Sequence, residues 1–127
     1  MNQNRSAKIL IVDDEPNIVV ALEFLLQQQG FVVEKAYNGQ EALDKLSSFR
    51  PGIVILDVMM PGMDGFEVAR RIRQQPSNRN TQIIFLTAKG TDADKIKGYS
   101  AGGEVYITKP FDNDELIQTV QEVVEFG

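Results

Sequence analysis

The chain contains neither cysteine nor tryptophan, and none of its apolar runs is longer than a strand. Without cysteine there can be no disulfide and no thiolate metal site, and the redox compartment is left open. Runs of strand length fall well short of the roughly 20 apolar residues that cross a bilayer, so no membrane span is expected. Met1 to Ala7 is polar and lacks the hydrophobic centre of a signal peptide. Residues 1–6 therefore read as a flexible tail ahead of one domain over 7–127, with a cytoplasmic address by default. Basic residues gather only at Arg70, Arg71 and Arg73, a spacing that reads as a solvated helix face. With a formal net charge of −5 and no basic stripe, direct nucleic-acid binding is not expected. The 127 residues, 43% of them hydrophobic, suit a single globular domain with one sizeable core.

Four short apolar runs each stop abruptly on a residue able to handle phosphate or metal. Lys8–Val12 runs into Asp13 and Asp14, and Ile53–Leu56 runs into Asp57. Ile83–Leu86 runs into Thr87, and Val105–Thr108 runs into Lys109 and Pro110. Such β-branched runs, bounded by turn residues, read as strands buried on both faces of a parallel sheet. Ligands of open parallel sheets bind beyond the carboxyl ends of the strands. Three carboxylates, a hydroxyl and an ammonium are thus expected at one edge.

Helical segments fill the intervals. Glu15-Pro16 opens a helix to about Gln29, with Gly30 at its end and Ile18, Ala21, Leu22, Leu25 and Leu26 as its apolar stripe. Phe31–Ala36 is a weaker strand ending at the Asn38-Gly39 turn, and Gln40–Ser48 is helical, with Ala42, Leu43 and Leu46 facing inward. Met59 to Gly65 is a shaped loop, Phe66–Gln75 a helix through Phe66, Val68, Ala69 and Ile72, and Gln75–Thr81 a polar loop. A weak helix over Thr91–Ala101 is interrupted by Gly98, which costs about 1 kcal/mol relative to alanine. Asp112 and Glu115 give a capping-box-like start to a last helix carrying Leu116, Ile117, Val120, Val123 and Val124. Five βα units with right-handed crossovers predict an α/β, flavodoxin-like (βα)5 three-layer sandwich with parallel strand order 2-1-3-4-5. That order makes strands one and three neighbours and sets Asp13, Asp14 and Asp57 side by side.

Three adjacent carboxylates raise one another's pKa unless a cation neutralises them. Mg²⁺ suits them, because it prefers oxygen ligands and often takes one or two carboxylates together with phosphate oxygens. Asp57 can attack phosphorus to form an aspartyl-phosphate. Lys109 supplies a second positive charge, and the Thr87 hydroxyl can donate to a phosphoryl oxygen.

At these residues the chain strongly resembles the response-regulator receiver domains of two-component signalling. The resemblance rests on Ile9 to Glu15, Ile55 to Glu67, Phe85 to Ala88 and Tyr106 to Phe111, in order and correctly spaced, and it covers residues 7–125. It implies that Asp57 receives a phosphoryl group from a histidine kinase or a histidine phosphotransfer protein. It implies that Asp14, Asp57 and the Met59 backbone carbonyl bind Mg²⁺ directly, with Asp13 acting mainly through water. It also implies that Lys109 contacts phosphate ahead of a cis Pro110, and that Thr87 and Tyr106 rearrange together on phosphorylation. The surface formed by the helix over Thr91–Ala101, strand five over Val105–Thr108 and the last helix is then the face that changes, open to a partner or a second copy. The expected role is a phosphorelay switch and not a turnover enzyme. Gly52 and the segment Gly103-Glu104-Val105 depart from the family's usual residues, and Gly103 is expected to loosen the loop into strand five.

Taken singly, each residue has a plainer reading. Asp13-Asp14 would be a capping pair, Asp64-Gly65 a turn, Tyr106 core, and Met59, Met60 and Met63 adaptable packing. Their joint placement at one sheet edge outweighs this. A haloacid-dehalogenase-type phosphatase needs a second acid where Met59 stands. A flavodoxin-like cofactor carrier needs a phosphate-cradling loop where Asp13 to Pro16 is acidic. A degenerate receiver, or a phosphate sink acting only as an interaction module, is opposed by the intact Asp14, Asp57, Thr87 and Lys109.

Overall fold

The structure, a computed structural model, describes residues 7–126. The tail expected over residues 1–6 lies outside the described residues, as does residue 127. The elements run β1 (Lys8–Val12), α1 (Pro16–Gln28), β2 (Val32–Ala36), α2 (Gly39–Phe49), β3 (Ile53–Leu56), α3 (Gly65–Gln74), β4 (Gln82–Thr87), α4 (Asp92–Ser100), β5 (Val105–Thr108) and α5 (Asn113–Phe126). The five strands form one parallel sheet in the order β2-β1-β3-β4-β5. The predicted α/β, flavodoxin-like architecture is the one observed.

Alternation along each strand divides the core in two, because successive side chains of a strand leave opposite faces. Leu10, Val12, Val54, Leu56, Ile83, Phe85 and Tyr106 point to one side, where α2 and α3 cover them with Ala42, Leu46, Phe66, Val68, Ala69 and Ile72. Ile9, Ile11, Ile53, Ile55, Ile84 and Leu86 point to the other side, under Val19, Leu22 and Leu26 of α1 and Leu116 and Val120 of α5. Central strands buried on both faces explain why their sequences are continuous apolar runs rather than alternating ones.

Helix ends follow local chemistry. Asn38 caps α2 by accepting from the Glu41 N–H at 2.9 Å, and Glu41 returns a carboxylate oxygen to the Tyr37 N–H at 2.9 Å. Asp112 Oδ1 accepts from the N–H groups of Asp114 (2.8 Å) and Glu115 (3.1 Å), as its position before the last helix suggests. The full reciprocal capping box lies at α4 instead, where Thr91 and Asp94 satisfy each other's N–H groups.

Several details differ from the sequence reading. Pro76–Asn78 forms a short 3-10 turn within the expected polar loop. On α1 Val19, outside the expected stripe, is buried together with Leu22 and Leu26, whereas Ala21 is exposed. The helix turns so that Val19, Leu22 and Leu26, at i, i+3 and i+7, form the stripe on the sheet. The loop into β5 is tightly held. A Cβ on Gly103 would lie 2.6 Å from the Phe85 ring, and its N–H donates to Gly98 O at 3.0 Å. Here the missing side chain permits close packing against an aromatic ring.

Candidate functional site

The sheet ladder carries the candidate site residues just beyond the strands. Asp13 N–H donates to Ala36 O at 3.2 Å, Asp57 N–H to Val12 O at 2.9 Å, and Lys109 N–H to Thr87 O at 2.8 Å. Each residue is thus one rung past its strand, with its backbone fixed by the neighbouring strand. Asp13, Asp14 and Asp57 each offer a carboxylate oxygen within 4.8 Å of the others. Asp13 and Asp57 are buried, and Asp14 is the most accessible of the three.

Lys109 reaches into this group. Its Nζ lies 2.7 Å from Asp13 Oδ2 and 3.7 Å from both Asp57 Oδ2 and Glu15 Oε1. Burial works against its charge, but the hydrogen bond to Asp13 and the charges of Asp13, Asp57 and Glu15 hold its pKa above the ordinary lysine value. Asp57 is shifted in the sense that marks an under-neutralised carboxylate. Burial first, and the Asp13 charge second, push its carboxyl above the ordinary value. The Thr87 hydroxyl, Lys109 and the Met59 N–H pull it back only in part. The Met59 N–H is 3.3 Å from Asp57 Oδ1, and the Met59 side chain is exposed beside it. Asp57 therefore faces the charged edge with one ammonium at a distance and a carboxylate close by.

The loop after Asp57 is shaped by glycine. A Cβ on Gly65 would stand 2.2 Å from the Asp57 carbonyl oxygen, and Gly65 N–H donates to Val58 O at 3.0 Å. Only glycine lets α3 begin this close to the Asp57 backbone. Asp64 caps the helix, accepting from the Glu67 N–H at 2.9 Å. The Asp-Gly pair seen in the sequence as a turn thus also presses a helix start against Asp57.

Thr87 is fully buried at the end of β4, and its Oγ1 accepts from the Lys89 N–H at 3.3 Å. Tyr106, on β5, is 8% exposed and packs on Phe85 with ring centroids 5.6 Å apart. Its hydroxyl donates to Lys89 O at 2.5 Å. Burial, then the charges of Asp94 and Asp57, push the phenol up to about 12. Residue 89 was not singled out in the sequence; an exposed lysine gives no sign that its backbone holds both Thr87 and Tyr106. The Lys109-Pro110 bond is cis. A cavity of about 560 Å³ lies elsewhere, between α2 and α3 around Leu43, Arg50 and Arg71, away from these groups.

The edge defines a class: a parallel α/β domain that presents a buried aspartate among acids and one lysine at its strand ends. The family of response regulator receiver domains matches residues 9–121, and the chain belongs to it. It is similar to the transcriptional regulatory protein ResD of Bacillus subtilis (strain 168), with 40% identity over 124 residues, 98% of this chain and 50% of ResD. The chain thus spans about half the length of that relative. Its fold is similar to chemotaxis protein CheY4 of Vibrio cholerae, with a TM-score of 0.89, 37% identity, and 93% of this chain and 98% of that chain covered. The BeF3-activated DrrB receiver domain superposes with a TM-score of 0.86 at 34% identity, covering 94% of this chain and 98% of that one. The chain is therefore a signalling domain of the two-component response-regulator type. Receiver domains bind Mg²⁺ at an acidic aspartate cluster, and the Asp13, Asp14 and Asp57 oxygens form a hard donor set that fits such an ion. Among the described residues, no helix is long and apolar enough to cross a membrane.

Proposed function

We propose that Asp57 is a phosphoacceptor, and that residues 7–127 act as a receiver which a histidine kinase or histidine phosphotransfer protein switches in the cytoplasm. The observation that carries this reading is the buried Asp57 carboxylate, raised in pKa, with Lys109 Nζ 3.7 Å away and Asp13 and Asp14 beside it. A carboxylate oxygen of Asp57 attacks the phosphorus of a phosphohistidine. The new O–P bond forms as the P–N bond breaks, and the electron pair leaves with the imidazole nitrogen, which takes up a proton.

Asp13, Asp14, Asp57 and the Met59 carbonyl would hold Mg²⁺. When bound, the ion neutralises the carboxylates and the phosphoryl oxygens. Lys109 is already aimed at this edge and exchanges part of its pairing with Asp13 for the incoming charge. The phosphoryl group adds up to about two negative charges and three strong acceptor oxygens. Thr87 turns its hydroxyl toward them, Tyr106 moves into the space vacated, and the surface of α4, β5 and α5 changes toward a partner or a second copy. Protein groups here position and neutralise; the domain assists its own phosphorylation and dephosphorylation without turning over a separate substrate.

Incubation with acetyl phosphate and Mg²⁺ should add one phosphoryl mass to the wild type and none to Asp57→Asn, which keeps the size but loses the nucleophile. Full phosphorylation of Asp57→Asn would sink the assignment. Phosphorylation of the wild type with no change beyond Asp57 would make a phosphate sink the better reading.

A further inference from the structure

The two ends of α4 are held by different kinds of group. At its N-terminal approach, the backbone of Lys89 is bonded to the Thr87 hydroxyl and the Tyr106 hydroxyl, at 3.3 and 2.5 Å. These are the two hydroxyls that the proposed switch rearranges. The C-terminal end is held by Arg73, at the far end of α3. Its Nε and Nη2 donate to Gly102 O at 3.2 and 2.7 Å. Its Nη1 donates to Thr81 O at 2.6 Å and to Asn78 O at 3.3 Å. Nη2 also pairs with Glu104 Oε2 at 2.8 Å. All of the guanidinium nitrogens are therefore engaged, in the planar fork geometry that sets arginine apart from lysine.

Glu104 completes the fastening. Its Oε1 accepts from the Ile83 N–H at 2.5 Å, and its own N–H donates to Ile83 O at 2.8 Å. The carboxylate thus joins α3 to the start of β4 while the backbone begins the β4–β5 ladder. Gly102 makes room for it: φ is +110°, and a Cβ there would lie 2.7 Å from Arg73 Cγ. An isolated surface ion pair would contribute little. Arg73, however, also satisfies three backbone carbonyls from two separate connections.

We infer that Arg73 and Glu104 are positioning residues that make the C-terminal end of α4 a fixed pivot, so that phosphorylation moves its N-terminal end about that point. The inference rests on the phosphoacceptor reading of Asp57 and adds where the motion stops. Ile96 and Tyr99, both exposed on α4, then swing as a lever while Gly102 to Glu104 stay in place. Gly102 and Gly103 let the backbone pack closely against Arg73 and the Phe85 ring, and the guanidinium sets the position of the pivot.

Amide-resolved hydrogen exchange on the full chain, with Mg²⁺ and with or without beryllofluoride, tests the pivot. In the wild type, protection should change at Lys89 to Lys97 and stay within about twofold at Gly102, Gly103 and Glu104. In Arg73→Met the beryllofluoride-dependent change should spread to those three amides, by about tenfold, the scale of a lost charge-assisted hydrogen bond. Glu104→Gln keeps an acceptor for Ile83 and should spread the change less; it carries the test if Arg73→Met does not fold. Simple destabilisation would speed exchange equally in both states, so the readout is the difference between them. A change reaching residues 102–104 in the wild type, or a variant pattern identical to wild type, overturns the pivot alone. Absence of any change beyond Asp57 in the wild type overturns the switch reading and the pivot together.

Discussion

Helices α3 and α4 start alike and end up very differently placed. Asp64 caps one by accepting from the Glu67 N–H at 2.9 Å, and Thr91 caps the other by accepting from the Asp94 N–H at 3.1 Å. Both carry acids in the first turn, which favours the helix dipole. Yet α3 buries Gly65, Phe66, Val68, Ala69 and Ile72, whereas α4 buries only Gly98 and leaves Ile96 66% and Tyr99 52% exposed. Local chemistry decides that both segments are helical. Apolar burial decides which one is fixed, and α3, whose first residue presses on the Asp57 backbone, is the fixed one. The element with little burial belongs to the low-stability end of the molecule, from which moving parts are drawn.

The contrast is broken most directly by truncating equivalent isoleucines. Ile72→Ala removes a fully buried side chain and should cost about 2–5 kcal/mol of stability. Ile96→Ala, on the exposed face of α4, should stay within about 0.5 kcal/mol. Urea denaturation of both variants measures the difference, and similar losses would mean that α4 is anchored as firmly as α3.

A smaller effect is expected at Gly98. Alanine there should gain about 1 kcal/mol of helix propensity. Its Cβ, however, would stand 2.7 Å from the Tyr106 ring, and overpacking of this kind costs about 1–3 kcal/mol. A net loss of stability with a displaced Tyr106 ring is expected, read from urea unfolding and from the Tyr106 ring resonances. A net gain would show that α4 does not lean on that ring.

The smallest effect belongs to the fixed side, where α3 meets Asp57. Burial and Asp13 raise the folded pKa of Asp57, so between its unfolded and folded values the folded state holds more protons than the unfolded one. Stability should therefore fall as pH rises through that window. In Mg²⁺-free buffer at neutral pH, Asp57→Asn should resist more urea than wild type. The advantage should close as pH drops below the ordinary carboxylate range. Equal midpoints at every pH would show that Asp57 carries no electrostatic strain.

Much of this was legible in the sequence because strand ends are abrupt. Ile53–Leu56 stops at Asp57, and Val105–Thr108 stops at Lys109, so the sheet order alone places both at one edge. Lys109 was expected to meet phosphate; its nearest partner is Asp13 at 2.7 Å, with Asp57 at 3.7 Å, a pairing across 96 residues that spacing along the chain does not reveal. Gly98 and Gly103 were read through backbone propensity as weak points. Their reason lies in the rings of Tyr106 and Phe85, which are distant along the chain or on another element. Arg73 was read from its helical spacing as part of a solvated face; Arg70 and Arg71 do pair with Glu67 on that face, but Arg73 does not. Its targets at residues 81, 102 and 104 become neighbours only once the sheet has formed.

The rings of Phe66, Phe85, Tyr106 and Tyr99 stand in sequence, with successive centroids 5.5, 5.6 and 6.5 Å apart, from under α3 to the exposed surface of α4. The chain has no tryptophan and three tyrosines, of which only Tyr106 is buried. Its near-ultraviolet signal is therefore carried by few chromophores, and the buried one is hydrogen-bonded to the carbonyl of Lys89. Any rearrangement that breaks that bond alters the absorption and emission of a native side chain at the centre of the row. The molecule carries an optical reporter of its own state, readable without a label.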